Sequence, residues 1–174
     1  LKMIEDACAT CDELMKEPGS PIMGLHLEGP YFNPKKAGAQ MPEIIRNPDP
    51  KEYKHIVEDY SCLRRWDVAP ELPGAIEMGR YIVSKGVLAA IGHTAATYDD
   101  VKAAYEAGYS HATHFYNAMP GFHNVREFKH AGTVESVYLM ERMTVEMITD
   151  GIHVPAPILQ LIYRTKGVER TALI

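Results

Sequence analysis

Residues 87–115 read VLAAIGHTAATYDDVKAAYEAGYSHATHF. Val87 to Gly92 is a short apolar run of the kind that forms a buried strand. Tyr98 to Ala107 then sets apolar residues at three- and four-residue spacing and stops at Gly108, as a helix does. Thr97-Tyr-Asp-Asp100 resembles a capping box at the start of that helix, with Asp where Glu or Gln is usual. A second apolar run, His111 to Phe115, follows at once. Strand, helix and strand in such close succession are the repeating unit of a parallel α/β sheet.

The alternation continues outward in both directions. Further strands are predicted at Ile22–Glu28, Arg65–Pro70, Thr144–Thr149 and Thr171–Ile174, and further helices at Leu1–Lys16 and Glu71–Ser84. The segment Asn33–His55, rich in Pro and Lys, reads as a long loop. Six candidate strands separated by helical stretches give an α/β fold, its parallel sheet either open or closed into a barrel. With 174 residues and 46% hydrophobic content the chain can bury one sizeable core, so residues 1–174 are expected to form a single domain.

A formal net charge of -5 and the lack of any Lys/Arg block exclude a nucleic-acid footprint. No apolar run reaches membrane length, and no signal peptide is recognisable. Three cysteines do not make a disulfide framework, and Cys8-Ala-Thr-Cys11 falls in a helical pattern without a second pair at zinc-finger spacing. A reducing, cytoplasmic setting and a small soluble ligand are the resulting expectations.

The ionisable residues gather at strand ends. In an extended strand His26 and Glu28 share one face while Leu25 and Leu27 share the other. The runs that follow end in His93, in His111-Ala-Thr-His114, and in Asp150-Gly-Ile-His153. Glu28, His93, His114 and His153 therefore lie at or beyond the carboxyl ends of four strands, where open α/β sheets and barrels both hold their active sites. One carboxylate and two imidazoles suit a hydrolytic divalent metal that keeps a position for water, and Glu28, His93 and His114 are the predicted ligands. His55, His111, His123 and His130 are assigned structural or solvated roles, and His26 is a candidate hydrogen-bond partner of the site.

Five stretches in chain order carry a resemblance: Gly24 to Gln40, Ala69-Pro-Glu71, Ile91-Gly-His-Thr94, Thr113-His-Phe-Tyr-Asn-Ala-Met119 and Asp150-Gly-Ile-His-Val154. Together they resemble the N-acetylglucosamine-6-phosphate deacetylases of the amidohydrolase superfamily. The resemblance implies a (β/α)8 TIM-type barrel, here partial with about six of eight strands. It implies metal-dependent hydrolysis of the acetamide of N-acetylglucosamine 6-phosphate, giving glucosamine 6-phosphate and acetate in amino-sugar catabolism. Glu28, His93 and His114 would hold the cofactor, a divalent metal, zinc first and iron second. Ala39, Asn117 and Ala118 would contact the substrate, Arg126 its phosphate, and His153 the acetamide carbonyl, where it would stabilise the oxyanion. The partner is then a small amino-sugar phosphate, and the full-length enzyme a homodimer.

The sequence also departs from that pattern. A complete barrel takes about 250 residues, and no His-x-His occurs anywhere in the chain. The resembling enzymes continue past Thr171-Ala-Leu-Ile174 into Thr-Asp-Ala, whose Asp is their general acid/base. A segment without it is expected to be nearly inactive, since such proton transfer supplies roughly 10²–10⁴-fold of the rate. Val125-Arg-Glu-Phe-Lys-His-Ala-Gly132 replaces the usual Arg-Glu-Pro-Gly. Two other readings stand beside this one: another amidohydrolase with the same ligand set, and a non-catalytic metal or sugar-phosphate binding segment.

Overall fold

The computed structural model describes residues 1–174. Six strands form one parallel sheet: β1 (Leu25–Glu28), β2 (Leu63–Val68), β3 (Leu88–Ile91), β4 (His111–Ala112), β7 (Thr144–Met147) and β8 (Thr171–Leu173). Their spatial order, β1-β2-β3-β4-β7-β8, follows the order of the chain. A doubly wound sheet reverses direction at a switch point and this one does not, so it is a half-barrel of consecutive β/α units. Helix α1 (Lys2–Leu14) precedes β1; α2 (Pro50–Asp59), α3 (Ala75–Ser84), α4 (Tyr98–Glu106), α5 (Thr133–Leu139) and α6 (Ala156–Lys166) make the crossovers. A small antiparallel hairpin, β5 (His123–Val125) and β6 (Phe128–His130), stands between β4 and α5. No helix is long and apolar enough to cross a membrane.

The predicted elements reappear with trimmed ends. Strand β1 begins at Leu25 rather than Ile22, because Pro21 to Met23 are exposed and unpaired. Strand β2 begins at Leu63 and is the longest in the sheet, although Arg65 and Asp67 interrupt its hydrophobicity. The run His111–Phe115 pairs only at His111 and Ala112, since the chain turns sharply after Thr113. The capping box forms as predicted: Thr97 Oγ1 accepts from the Asp100 N–H, and the Asp100 carboxylate accepts from the Thr97 N–H at 2.9 Å.

Two assignments need correction. Helix α2 occupies the end of the segment read as a loop; Asp49 caps it by accepting from the Lys51 N–H and Pro50 takes the first turn. Its inward face is only Tyr53 and Ile56, too sparse among charged neighbours to register as a period. Helix α3 starts at Ala75, not Glu71, because Gly74 adopts a left-handed conformation ahead of it. Helices α5 and α6 had no sequence-based prediction. Cys8 and Cys11 are buried on α1 beside Cys62, all three as free thiols.

Alternation along the strands separates two environments. Leu27, Trp66, Val68, Ala89, Ile91, Ala112, Val145 and Met147 face the helices and join the hydrophobic core. Trp66 is fully buried, stacks on Tyr31 at 5.6 Å and donates from Nε1 to the Gly29 carbonyl at 2.8 Å. Burying such a side chain contributes about 1.5–3 kcal/mol. The opposite face is polar. There Arg65 Nε donates to Asp67 at 3.0 Å, one terminal nitrogen donates to Thr113 Oγ1 at 2.8 Å, and the other pairs with Glu146 and faces His111 Nε2 at 3.3 Å. With that face of the ring turned to a donor, His111 donates from Nδ1 to Thr144 Oγ1 at 2.7 Å.

Burial pushes the Glu146 carboxyl up, but hydrogen bonds from Arg65, the His114 N–H and Thr113 outweigh it and hold the group well below the usual carboxylate range. A depressed folded-state pKa means stability that is present above the ordinary value of 4.5 and is lost as pH falls below it. Urea titrations at pH 7 and pH 4 should therefore show a lower unfolding free energy at pH 4. Replacing Arg65 with Met leaves Asp67 and Glu146 buried without their counter-charge, a loss of about 3–5 kcal/mol at pH 7. The variant should then gain stability on mild acidification, opposite to the parent.

Candidate metal centre

Glu28 closes β1 on the polar face, where alternation places it. His93 and His114 do not follow alternation. Ala89 and Ile91 face the helix layer, as does Ala112, so extended backbone would send His93 and His114 the same way. Both instead adopt left-handed backbone, with φ of 46° at His93 and 29° at His114, and swing toward the polar side. Such a conformation in a non-glycine residue costs on the order of 1–3 kcal/mol and persists only where surrounding contacts hold it.

Those contacts are present. His93 is gripped by the loop after β1: Phe32 stacks on its ring at 4.3 Å, and the Asn33 N–H donates to its carbonyl at 3.0 Å. A Cβ at Gly38 would stand 3.0 Å from its Cε1, which is why a side chain is unwelcome there. A Cβ at Gly92 would meet Thr113 Cγ2 at 2.5 Å, so glycine also permits the close approach of β3 and β4. The His114 N–H donates to Glu146 at 3.0 Å. The buried ionic network beneath the site thus fixes the backbone of a site residue.

The side chains converge. Glu28 Oε1 lies 2.9 Å from His93 Nε2 and 3.1 Å from His114 Nε2, and the two ring nitrogens are 3.1 Å apart. Among the His, Cys, Asp and Glu side chains this is the one group of three with donor atoms within 4.8 Å of one another. Ligand atoms about 2.0–2.1 Å from a tetrahedral ion stand roughly 3.3–3.4 Å apart, close to the spacing seen. His93 Nδ1 lies 2.7 Å from the Lys36 carbonyl, which only accepts, so the proton sits on Nδ1 and Nε2 offers a lone pair. His114 Nδ1 is buried without a partner, so its ring is oriented through Nε2 and the backbone.

Two imidazole nitrogens and a carboxylate oxygen facing one another favour a positive charge among them. The hydrogen bond from His114 and the neighbouring His93 ring, working against burial, hold Glu28 far below the usual carboxylate range. Burial lowers the His114 pKa, but the bond to Glu28 and its charge raise it further. A divalent cation meets the same need with all three donors, so the residues fit one.

None of the other predicted site residues hydrogen-bonds the side chains of Glu28, His93 or His114. Asn117 and Ala118 form the turn after His114: the Asn117 N–H donates to the His114 carbonyl at 2.9 Å, and Ala118, at φ 53°, accepts from the Thr94 N–H at 3.1 Å. Ala39 is exposed in the loop after β1. Arg126 occupies the exposed tip of the β5–β6 hairpin, where the sequence departs from the pattern it resembles. His153 is exposed and pairs through Nδ1 with Asp150 at 2.6 Å. Backbone N–H groups of His153 and Ile152, together with the His153 ring, bring Asp150 down to about 2. His26 pairs with Asp67 at 2.8 Å rather than with a ligand.

Sequence reasoning missed the Lys36 carbonyl, a backbone atom with no side-chain signature. It also missed Glu71, which stood in plain view in Ala69-Pro-Glu71 but was counted as the first residue of a helix.

No protein-family model matches the chain. Known proteins do. An N-acetylgalactosamine-6-phosphate deacetylase of Escherichia coli O157:H7 is 36% identical over 138 residues, which is 79% of this chain and 36% of that enzyme. An N-acetylglucosamine-6-phosphate deacetylase of Bacillus subtilis (strain 168) is 34% identical over 157 residues, 90% of this chain and 39% of that enzyme. A mutant of the N-acetyl-D-glucosamine-6-phosphate deacetylase from Mycobacterium smegmatis, solved in complex with N-acetyl-D-glucosamine-6-phosphate, superposes with a TM-score of 0.87 at 36% identity, covering 99% of this chain and 44% of that one. The chain therefore spans about two fifths of the length of the relatives it matches.

Replacing Glu28 with Gln removes the negative ligand and should abolish stoichiometric zinc by elemental analysis while leaving the far-ultraviolet circular dichroism unchanged. In the parent, zinc affinity should fall on acidification, because protons compete with the metal for its ligand atoms.

Proposed function

We infer that this chain, which corresponds to a segment of the longer N-acetylglucosamine-6-phosphate deacetylases, carries the metal-binding half of an amino-sugar-phosphate deacetylase barrel. One observation carries the reading: Glu28, His93 and His114, at the carboxyl ends of the parallel strands β1, β3 and β4, meet with their donor atoms 2.9–3.1 Å apart. The two nitrogens and one oxygen suit zinc, with iron next. A bound divalent cation supplies a Lewis acid and a water of lowered pKa.

The chain's own residues do the rest. Lys36 and Glu146 hold the two imidazoles in the presenting orientation. The Ala118 N–H and the Arg126 guanidinium would offer donors to a phosphate, Arg126 as a planar fork, with Asn117 shaping the turn. Ala39, in the loop after β1, would contact the sugar. His153, its ring held at Nδ1 by Asp150, would polarise the acetamide oxygen as charge develops there. The 174-residue chain should accordingly bind a divalent metal.

A chimera tests the reading in a complete barrel: the matching segment of the Bacillus subtilis relative is replaced by this chain, and acetate release from N-acetylglucosamine 6-phosphate is measured. Activity that vanishes with Glu28→Gln supports it. A folded, metal-loaded chimera without turnover refutes the deacetylase assignment. The Escherichia coli relative favours a second substrate, N-acetylgalactosamine 6-phosphate, which differs only in configuration at C4. The ratio of kcat/KM for the two sugars in the same chimera decides between them.

A further inference from the structure

Glu71 lies in the loop after β2 and makes no contact with the three ligands. Its carboxylate accepts three hydrogen bonds from neutral donors: Asn33 Nδ2 at 2.9 Å and the Ala95 N–H at 2.6 Å on Oε1, and the Thr94 hydroxyl on Oε2. Thr94 is fully buried, and its Oγ1 also accepts from the Ala96 N–H at 2.9 Å. These partners flank His93 on two sides. Thr94 and Ala95 follow it directly in the chain. Asn33, on the loop after β1, donates its N–H to the His93 carbonyl and stands three residues before Lys36, whose carbonyl holds His93 Nδ1.

We propose that Glu71 is a positioning residue for the metal centre: it ties the loops after β1 and β3 together around His93 and keeps that residue in the left-handed conformation that aims Nε2 at Glu28. The inference rests on the metal-centre reading above. The type of side chain follows from the geometry. Three donors converge from two loops onto two oxygens, one of which takes two of them. A carboxylate offers about four lone-pair sites at its two oxygens, whereas an amide offers one oxygen and must turn an N–H toward the other donor. With Glu71 truncated, Asn33, Thr94 and Ala95 lose a shared acceptor, and His93 is free to relax to extended backbone, which alternation would point toward the helix layer.

Outer partners that orient a metal ligand typically alter affinity by about 10–100-fold when removed. The test uses Co²⁺ as the probe, titrated into the 174-residue chain and its variants and followed by visible absorption, with thermal unfolding of the metal-free proteins in parallel. Glu71→Ala should raise the Kd for Co²⁺ by about 10–100-fold and change the d–d band, because the ligand field at His93 is altered. Glu71→Gln, which keeps one acceptor oxygen, should fall between the two. A purely structural role would lower the melting temperature and leave the Kd and spectrum of the folded fraction as in the parent; that result overturns the proposal. Should Glu71→Ala not fold, Glu71→Gln alone decides, since a Kd and spectrum identical to the parent's overturn it equally. A parent that binds no Co²⁺ refutes the metal centre itself, and this inference with it.

Discussion

A buried guanidinium holds the polar side of this half-barrel together. Arg65 reaches from β2 toward Thr113 beyond β4 and Glu146 on β7, and bonds Asp67 on its own strand. Each acidic group alone would be costly to bury, and the planar fork satisfies several acceptors at once. The network links nonadjacent strands across the sheet's concave face, and its Glu146 accepts the backbone N–H of His114. The charges that stabilise the interior are therefore also those that shape the floor of the metal centre.

Above that floor the structure spends conformational strain. His93 and His114 both leave the extended region at the points where their strands end, at an expected cost of about 1–3 kcal/mol each. What holds His93 is spread over three loops, Phe32, Asn33 and Lys36 after β1, Glu71 after β2, and Thr94 after β3, while Glu146 holds the His114 backbone. An imidazole aimed this way meets Glu28 without searching rotamers, and such preorganisation is what a ligand set needs to hold a cation tightly. The same device explains the glycine before His93, since a Cβ at Gly92 would run into Thr113 on the neighbouring strand's end.

Much of the fold was legible. All six parallel strands had a sequence signal, because a strand buried on one or both faces must be apolar over a short run. The three side chains that converge, Glu28, His93 and His114, were also legible, because carboxylate and imidazole at strand ends are chemically conspicuous. Helix α2 was hidden by its charged residues, and α5 and α6 carried no recognised signal. The hairpin that carries Arg126 was not foreseen, since His123 to His130 pairs exposed residues on both faces and has no buried side to give alternation.

The sequence by itself determined the β/α alternation, the set Glu28, His93 and His114, and the likeness to amino-sugar-phosphate deacetylases, since each of these is written in residue type and order. Only the tertiary structure decided that strand order follows chain order, which makes the sheet a half-barrel. It alone turned His93 and His114 against the parity of their strands, and it alone gave Glu71 and the Lys36 carbonyl their roles. The physical reason is the same in each case: a backbone dihedral or a carbonyl direction is set by contacts between segments distant in the chain, and no side-chain pattern within one segment encodes it.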